Sequence, residues 1–183
     1  MTSPMTARRS RNRSNWYGSA ISGLSPLSKR TNARRLAVNA AWLAYHNRDR
    51  VHYTQDARRW QGIDRGLKAW KGQYPTYADC SSFATWCIWN GLDHYGVRDV
   101  VNGAAWKAGW TGTMLDHGKE AINGHYLEGD CVIYGSNPGR HTAIIVGFDA
   151  NRRPMVISHG SEAGPYYLPY NYRSDINSIR RYI

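Results

Sequence analysis

A thiol and two histidines in this 183-residue chain could together carry out acyl transfer. Cys80 stands in Tyr77-Ala78-Asp79-Cys80-Ser81-Ser82-Phe83, where Asp79 is a helix N-cap and Cys80–Leu92 reads as a buried helix. A thiol that opens a helix meets unpaired backbone amides and the positive end of the dipole, which favour a thiolate. The same amides can hold an oxyanion. Asp79 opposes this with its own charge, and its main task there is capping. Cys87, two turns deeper among tryptophans, and Cys131, in a strand, read as core.

A nucleophilic thiol needs a base, and the base needs a group to orient it. Of seven histidines, His141 opens an apolar run (His141–Phe148) and His159 closes the next one (Met155–His159). A hairpin centred on Ala150 would set the two directly across from each other on one face of a sheet, whereas a slip of one residue would separate them. On this reading His141 takes the Cys80 proton and His159 holds His141. His46, His52, His94, His117 and His125 have no such company. No short Cys/His spacing suggests zinc, so neither a metal nor a cofactor is expected.

The elements needed to position these groups are legible in outline. Leu36, Ala40, Leu43 and Ala44 define a helical face from about Thr31 to Asn47. Residues 50–78 show weak periodicity and read as an irregular segment. Asp99–Ala108 and Met114–Lys119 read as further helices. Asp130–Tyr134, Thr142–Phe148, Pro154–Ser158 and Ile179–Ile183 read as strands. Helices followed by strands imply an α+β domain with an antiparallel sheet, over residues 31–183.

Charge is unevenly placed. Nine of the 24 Lys and Arg residues fall within positions 1–48, which hold no Asp or Glu; the remainder carries 15 basic against 13 acidic groups. Residues 1–30 therefore read as a basic, disordered leader suited to anionic polymers. They lack the apolar core of a signal peptide, and the most apolar stretch, Leu36–Tyr45, is too short to span a bilayer. With the charge concentrated in the leader, and without basic patches interleaved with aromatics, a specific nucleic-acid-binding role is the lesser reading.

Taken as an ordered set, Asp79-Cys80-Ser81-Ser82, Gly129-Asp130-Cys131-Val132-Ile133-Tyr134, His141-Thr142-Ala143-Ile144-Ile145-Val146-Gly147 and Ile157-Ser158-His159-Gly160 resemble the NlpC/P60 cysteine peptidases. Ser82 and Ala143 replace glycines of that pattern. The likeness covers roughly residues 50–183, and its flavour is most similar to the peptidase domains of actinobacteriophage endolysins. It implies a papain-like fold, a peptidoglycan substrate cut in its stem peptide or cross-link, and Cys80, His141 and His159 as the catalytic set. Tyr53 is implied as an oxyanion assistant, with Tyr74 or Tyr77 as substitutes. Trp60, Trp70, Trp106 or Trp110 are candidates for the walls of an open groove, against the commoner role of tryptophan in a core. It also implies residence in the host cytoplasm before lysis, and attraction of the leader to anionic wall polymers. The rival readings are a CHAP-like N-acetylmuramoyl-L-alanine amidase with the same Cys/His pair, and a non-catalytic basic protein that binds cell wall or nucleic acid.

Overall fold

The computed structural model describes residues 25–161 and 163–183. Helix α1 spans Pro26–His46, α2 Gln61–Asp64, α3 Cys80–Leu92 and α4 Thr111–Asp116; strands β1 (His52–Tyr53) and β2 (Tyr77–Ala78) precede α3. Strands β3 (Lys119–Glu120), β4 (Cys131–Tyr134), β5 (His141–Phe148), β6 (Pro154–Ser158), β7 (Tyr166–Pro169) and β8 (Ile176–Arg181) form one sheet in the order β3-β8-β4-β5-β6-β7. Every pairing in it is antiparallel. The molecule is thus α+β, with a thiol at a helix N-terminus above an antiparallel sheet, the papain-like layout that the motifs imply. Among the described residues no helix is long and apolar enough to cross a membrane.

Helix α1 starts at Pro26, capped by the Ser25 side chain, five residues before the expected boundary. Proline at the first turn loses no helical hydrogen bond and brings the right φ. The rest of the expected leader lies outside the described residues. All thirteen residues of α3 are buried. It is sandwiched between α1 and the sheet, which explains a sequence (CSSFATWCIWNGL) with little polar face. The two helices approach closely because α1 presents Ala33, Ala37, Ala40, Ala41 and Ala44, and α3 presents Gly91. A Cβ at Gly91 would lie 2.4 Å from the Ala33 carbonyl oxygen, so only glycine fits.

The sheet has two apolar faces. Cys131, Ile133, Ile144, Val146 and Ile157 face the helices and join the main core with Phe83, Trp86 and Ile88. Val132, Tyr134, Ala143, Ile145, Val156 and Ile179 face the other way, under Tyr126, Leu168, Tyr170 and Tyr172. Asp130, fully buried, ties the ends together: it accepts from Arg34 of α1 and from Arg181 of β8, and from the Leu127 amide.

Other expectations change too: the helix expected at Met114–Lys119 is α4, Thr111–Asp116, and Lys119 belongs to β3. Asp99–Ala108 is not a helix. The Asp99 carboxylate instead accepts from the amides of Val101, Asn102, Ala104 and Trp106, folding the segment into a tight loop. A side chain that satisfies backbone donors locally competes with the helix for them. The β5–β6 hairpin also differs in register. Its loop is centred on Asn151, with the Asp149 amide donating to the Arg153 carbonyl. Phe148 then pairs with Pro154 and Gly147 with Met155, but a bulge at Val146 brings Ile145 opposite Val156 and Ala143 opposite Ser158. The extra residue changes the parity of the pairing beyond it. Continued one step, this register sets His159 against Thr142, so the two histidines project from opposite faces.

Candidate active site

The nucleophile's helix begins with a reciprocal cap. Asp79 Oδ1 accepts from the Ser82 amide at 2.7 Å, and Ser82 Oγ accepts from the Asp79 amide at 2.9 Å. Ser82, which departs from the family pattern, is therefore the second half of a capping box. The other Asp79 oxygen is ion-paired with Arg59, whose guanidinium also donates to the Gly109 carbonyl at 3.1 Å. Arg59 was not singled out in the sequence, since only the folded chain carries it to Asp79.

Cys80 is buried, 7% exposed. Its sulfur accepts from the Thr142 backbone amide and from the amides of Ser81 and Cys80 itself, all of which favour the thiolate. Burial, followed by the Asp79 charge, outweighs them and pushes the thiol up to about 11. The expected resting thiolate is thus replaced by a protonated thiol at neutral pH. Desolvation at this buried site outweighs three amide dipoles.

The Thr142 contact fixes where the thiol sits. In β5 the Ile145 amide bonds toward β4, donating to Asp130, so Thr142, of opposite parity, turns its amide toward β6. Strand β6 ends at Ser158. The Thr142 amide is thus left without a strand partner past that end, and there it meets the Cys80 sulfur. His159 comes from the helix side. It is fully buried, its ring 5.7 Å from that of Tyr53 and 5.8 Å from that of Phe83, one turn beyond Cys80.

His141 comes from the other side. Its Nε2 is 2.6 Å from Ser158 Oγ, which in turn is 3.1 Å from Tyr172 Oη. The His141 ring lies against Tyr134, with centroids 5.9 Å apart. Asp175 stands close enough to feel its charge: that carboxyl is held low chiefly by its hydrogen bond with Arg173, with a smaller contribution from His141. Ser158 is therefore a hydrogen-bond partner of His141 that spacing along the chain does not suggest. Only the one-residue register change of the folded hairpin brings it there.

Tyr53 reaches the site through backbone pairing. Strand β1 runs parallel to β2 with Tyr53 against Ala78, and the Thr54 amide donates to the Ala78 carbonyl, two residues before Cys80. The Tyr53 phenol is pushed up by burial and next by the Cys80 charge, which marks their proximity. Tyr77 lies under the Arg58 guanidinium, and Tyr74 packs against the main core. Of the four tryptophans considered as groove walls, Trp60 and Trp106 are buried, whereas Trp70 and Trp110 are 44% and 48% exposed. Trp110 follows Gly109, the Arg59 partner, and so belongs to the loop anchored beside Asp79. Among the described residues no cluster of three His, Cys, Asp or Glu side chains is arranged to hold a metal.

No protein-family model matches the chain, and no curated protein matches it. Among solved structures it is similar to NlpC1 from Trichomonas vaginalis (19% identity, TM-score 0.49), over 80% of this chain and 44% of that one. It is also similar to the NlpC/p60 domain of the peptidoglycan hydrolase SagA (18% identity, TM-score 0.43), over 69% of this chain and 98% of that domain. The chain thus spans less than half the length of NlpC1.

Proposed function

We propose that this chain is a cysteine peptidase of the NlpC/P60 type that hydrolyses the peptide part of bacterial cell wall. Cys80 is the nucleophile, His141 its base and Ser158 the group that orients His141. The observation that carries the reading is the 2.6 Å His141–Ser158 hydrogen bond beside a helix-capped thiol bound to the Thr142 amide. With Nε2 engaged by Ser158, Nδ1 on the backbone side of the ring serves the thiol.

Because the thiol is protonated at rest, His141 takes its proton as the sulfur attacks the scissile carbonyl. The Cys80 amide at the start of α3 holds the oxyanion, with the Tyr53 hydroxyl beside it. The tetrahedral intermediate collapses to a thioester, and His141 gives the proton to the departing amine. Water, deprotonated by His141, then cleaves the thioester and restores the thiol. In this assignment His159 floors the thiol site from the helix side instead of orienting the base. Action in a phage lysis pathway, with storage in the host cytoplasm, is the biological setting that the sequence resemblance supports.

Clearing of a diaminopimelate-type wall suspension tests the activity. Wild type lowers the turbidity, and folded Cys80→Ala does not. Equal clearing by Cys80→Ala would overturn the reading. Mass spectra of the fragments name the bond: new amino termini within the stem support a peptidase, whereas intact stems released with N-terminal alanine indicate the amidase.

A further inference from the structure

The end of the molecule remote from the thiol carries an open cleft of about 1500 Å³ between the start of α1, the segment after α3, and the edge of the sheet at β3 and β8. Its rim bears Lys29, Arg30, Arg98 and Lys119, brought together from three separate stretches of chain. None of the four is ion-paired with an acid among the described residues. The one acidic side chain in the lining, Asp99, spends both carboxylate oxygens on four backbone amides. Four unneutralised cations around a groove create a positive potential that attracts anions and is not satisfied internally.

The sequence adds to this independently. Residues 1–24 carry four arginines and no acid, and they enter the fold at Pro26, which itself lines the cleft. Cys80 and Leu92 are at opposite ends of α3, about 18 Å apart along its axis. A ligand in the cleft leaves the thiol open.

We infer that this cleft binds a linear polyol-phosphate polymer of the cell wall and tethers the enzyme to its insoluble substrate; this rests on the proposed wall-peptidase activity. The cleft is open and carries cations from three stretches of chain, which suits a chain of phosphodiesters better than a small anion, and an arginine such as Arg30 or Arg98 can meet two phosphate oxygens at once. Nucleic acid fits less well. Of the lining Trp and Tyr rings, Trp106 and Tyr182 are 8% and 9% exposed and offer no face on which bases can stack, which leaves the half-buried Tyr95 alone, its hydroxyl already accepting from Asn32.

The test uses the full chain, poly(glycerol phosphate), and single-stranded DNA of matched charge, with affinities measured across a salt series. A cleft variant (Arg98→Gln with Lys119→Gln) is compared with a control (Arg50→Gln with Arg65→Gln), which removes two exposed charges elsewhere. The cleft variant is expected to bind poly(glycerol phosphate) about 10-fold more weakly near 0.1 M salt. Its slope of log affinity against log salt should fall by roughly 0.7–0.9 per cation removed, with the control unchanged. Cleavage of a soluble stem peptide should be equal in both, while retention on whole wall drops only for the cleft variant. Equal polymer affinity in the two variants overturns the cleft. Tighter binding of DNA than of the polymer overturns the wall assignment in favour of nucleic acid. Failure of wild type to cut the soluble peptide overturns the peptidase reading and leaves the binding result to stand or fall alone.

Discussion

Ser158→Ala isolates the part of the site that separates this account from one built on two histidines. Ser158 is 2% exposed, and its hydroxyl lies between His141 Nε2 at 2.6 Å and Tyr172 Oη at 3.1 Å. Alanine removes one oxygen and leaves almost no cavity, so the fold should lose only about 1 kcal/mol. The catalytic loss is larger because His141 becomes an imidazolium during attack. A hydrogen bond to a charged group contributes about 1.5–3 kcal/mol, equivalent to roughly a 10- to 150-fold fall in kcat. Substrate contacts are untouched, so KM should stay within about twofold. Ser158→Thr restores the hydroxyl and should recover much of the rate, which a purely structural role would not show. The assay is steady-state hydrolysis of a purified stem peptide, run over pH 5–10, with thermal unfolding alongside. Full kcat in Ser158→Ala, together with a 100-fold loss in His159→Gln at unchanged stability, would refute the assignment and return the orienting role to His159.

Further consequences concern burial and charge. Since burial pushes the Cys80 thiol up to about 11, the protonated thiol dominates at pH 8, where about a quarter of an ordinary thiol is already ionised. Alkylation by iodoacetamide should therefore keep rising with pH toward 11, and a plateau reached by pH 8 would contradict the desolvated site. Asp130→Ala leaves Arg34 and Arg181 without their shared carboxylate and should cost about 3–5 kcal/mol in urea unfolding; a loss below 1 kcal/mol would show the network to be dispensable. Gly91→Ala forces α1 from α3 and should lower stability by about 1–3 kcal/mol, measured in the same way, with a neutral result contradicting the close packing at Ala33.

The sequence made the nucleophile helix legible because a cap, a thiol and an unbroken apolar run coincide at Asp79–Leu92. Strand β6 emerged with its observed bounds, Pro154–Ser158, because alternation and a flanking turn define it. The partner of His141 was not legible. The loop centre alone would have kept both histidines on one face, and a single bulged residue at Val146 put Ser158 there instead. Bulges leave no local composition signal comparable to a cap or a glycine turn. The Asp99 segment differs for a related reason: one carboxylate satisfies four amides that a helix would otherwise claim. Arg59 and the cleft of Lys29, Arg30, Arg98 and Lys119 arise from tertiary convergence, which spacing along the chain does not encode. Tyr53 was brought near the thiol by a two-residue parallel pairing too short to read from pattern.

Acid quenching of the enzyme during turnover of a purified stem peptide, followed by peptide mass mapping, tests the central claim most directly. The account predicts a mass increment equal to the amino-terminal product fragment, held as a thioester on the peptide that contains Cys80. Turnover that continues in Cys80→Ala, with no acyl group found on Cys80 in wild type, would contradict it.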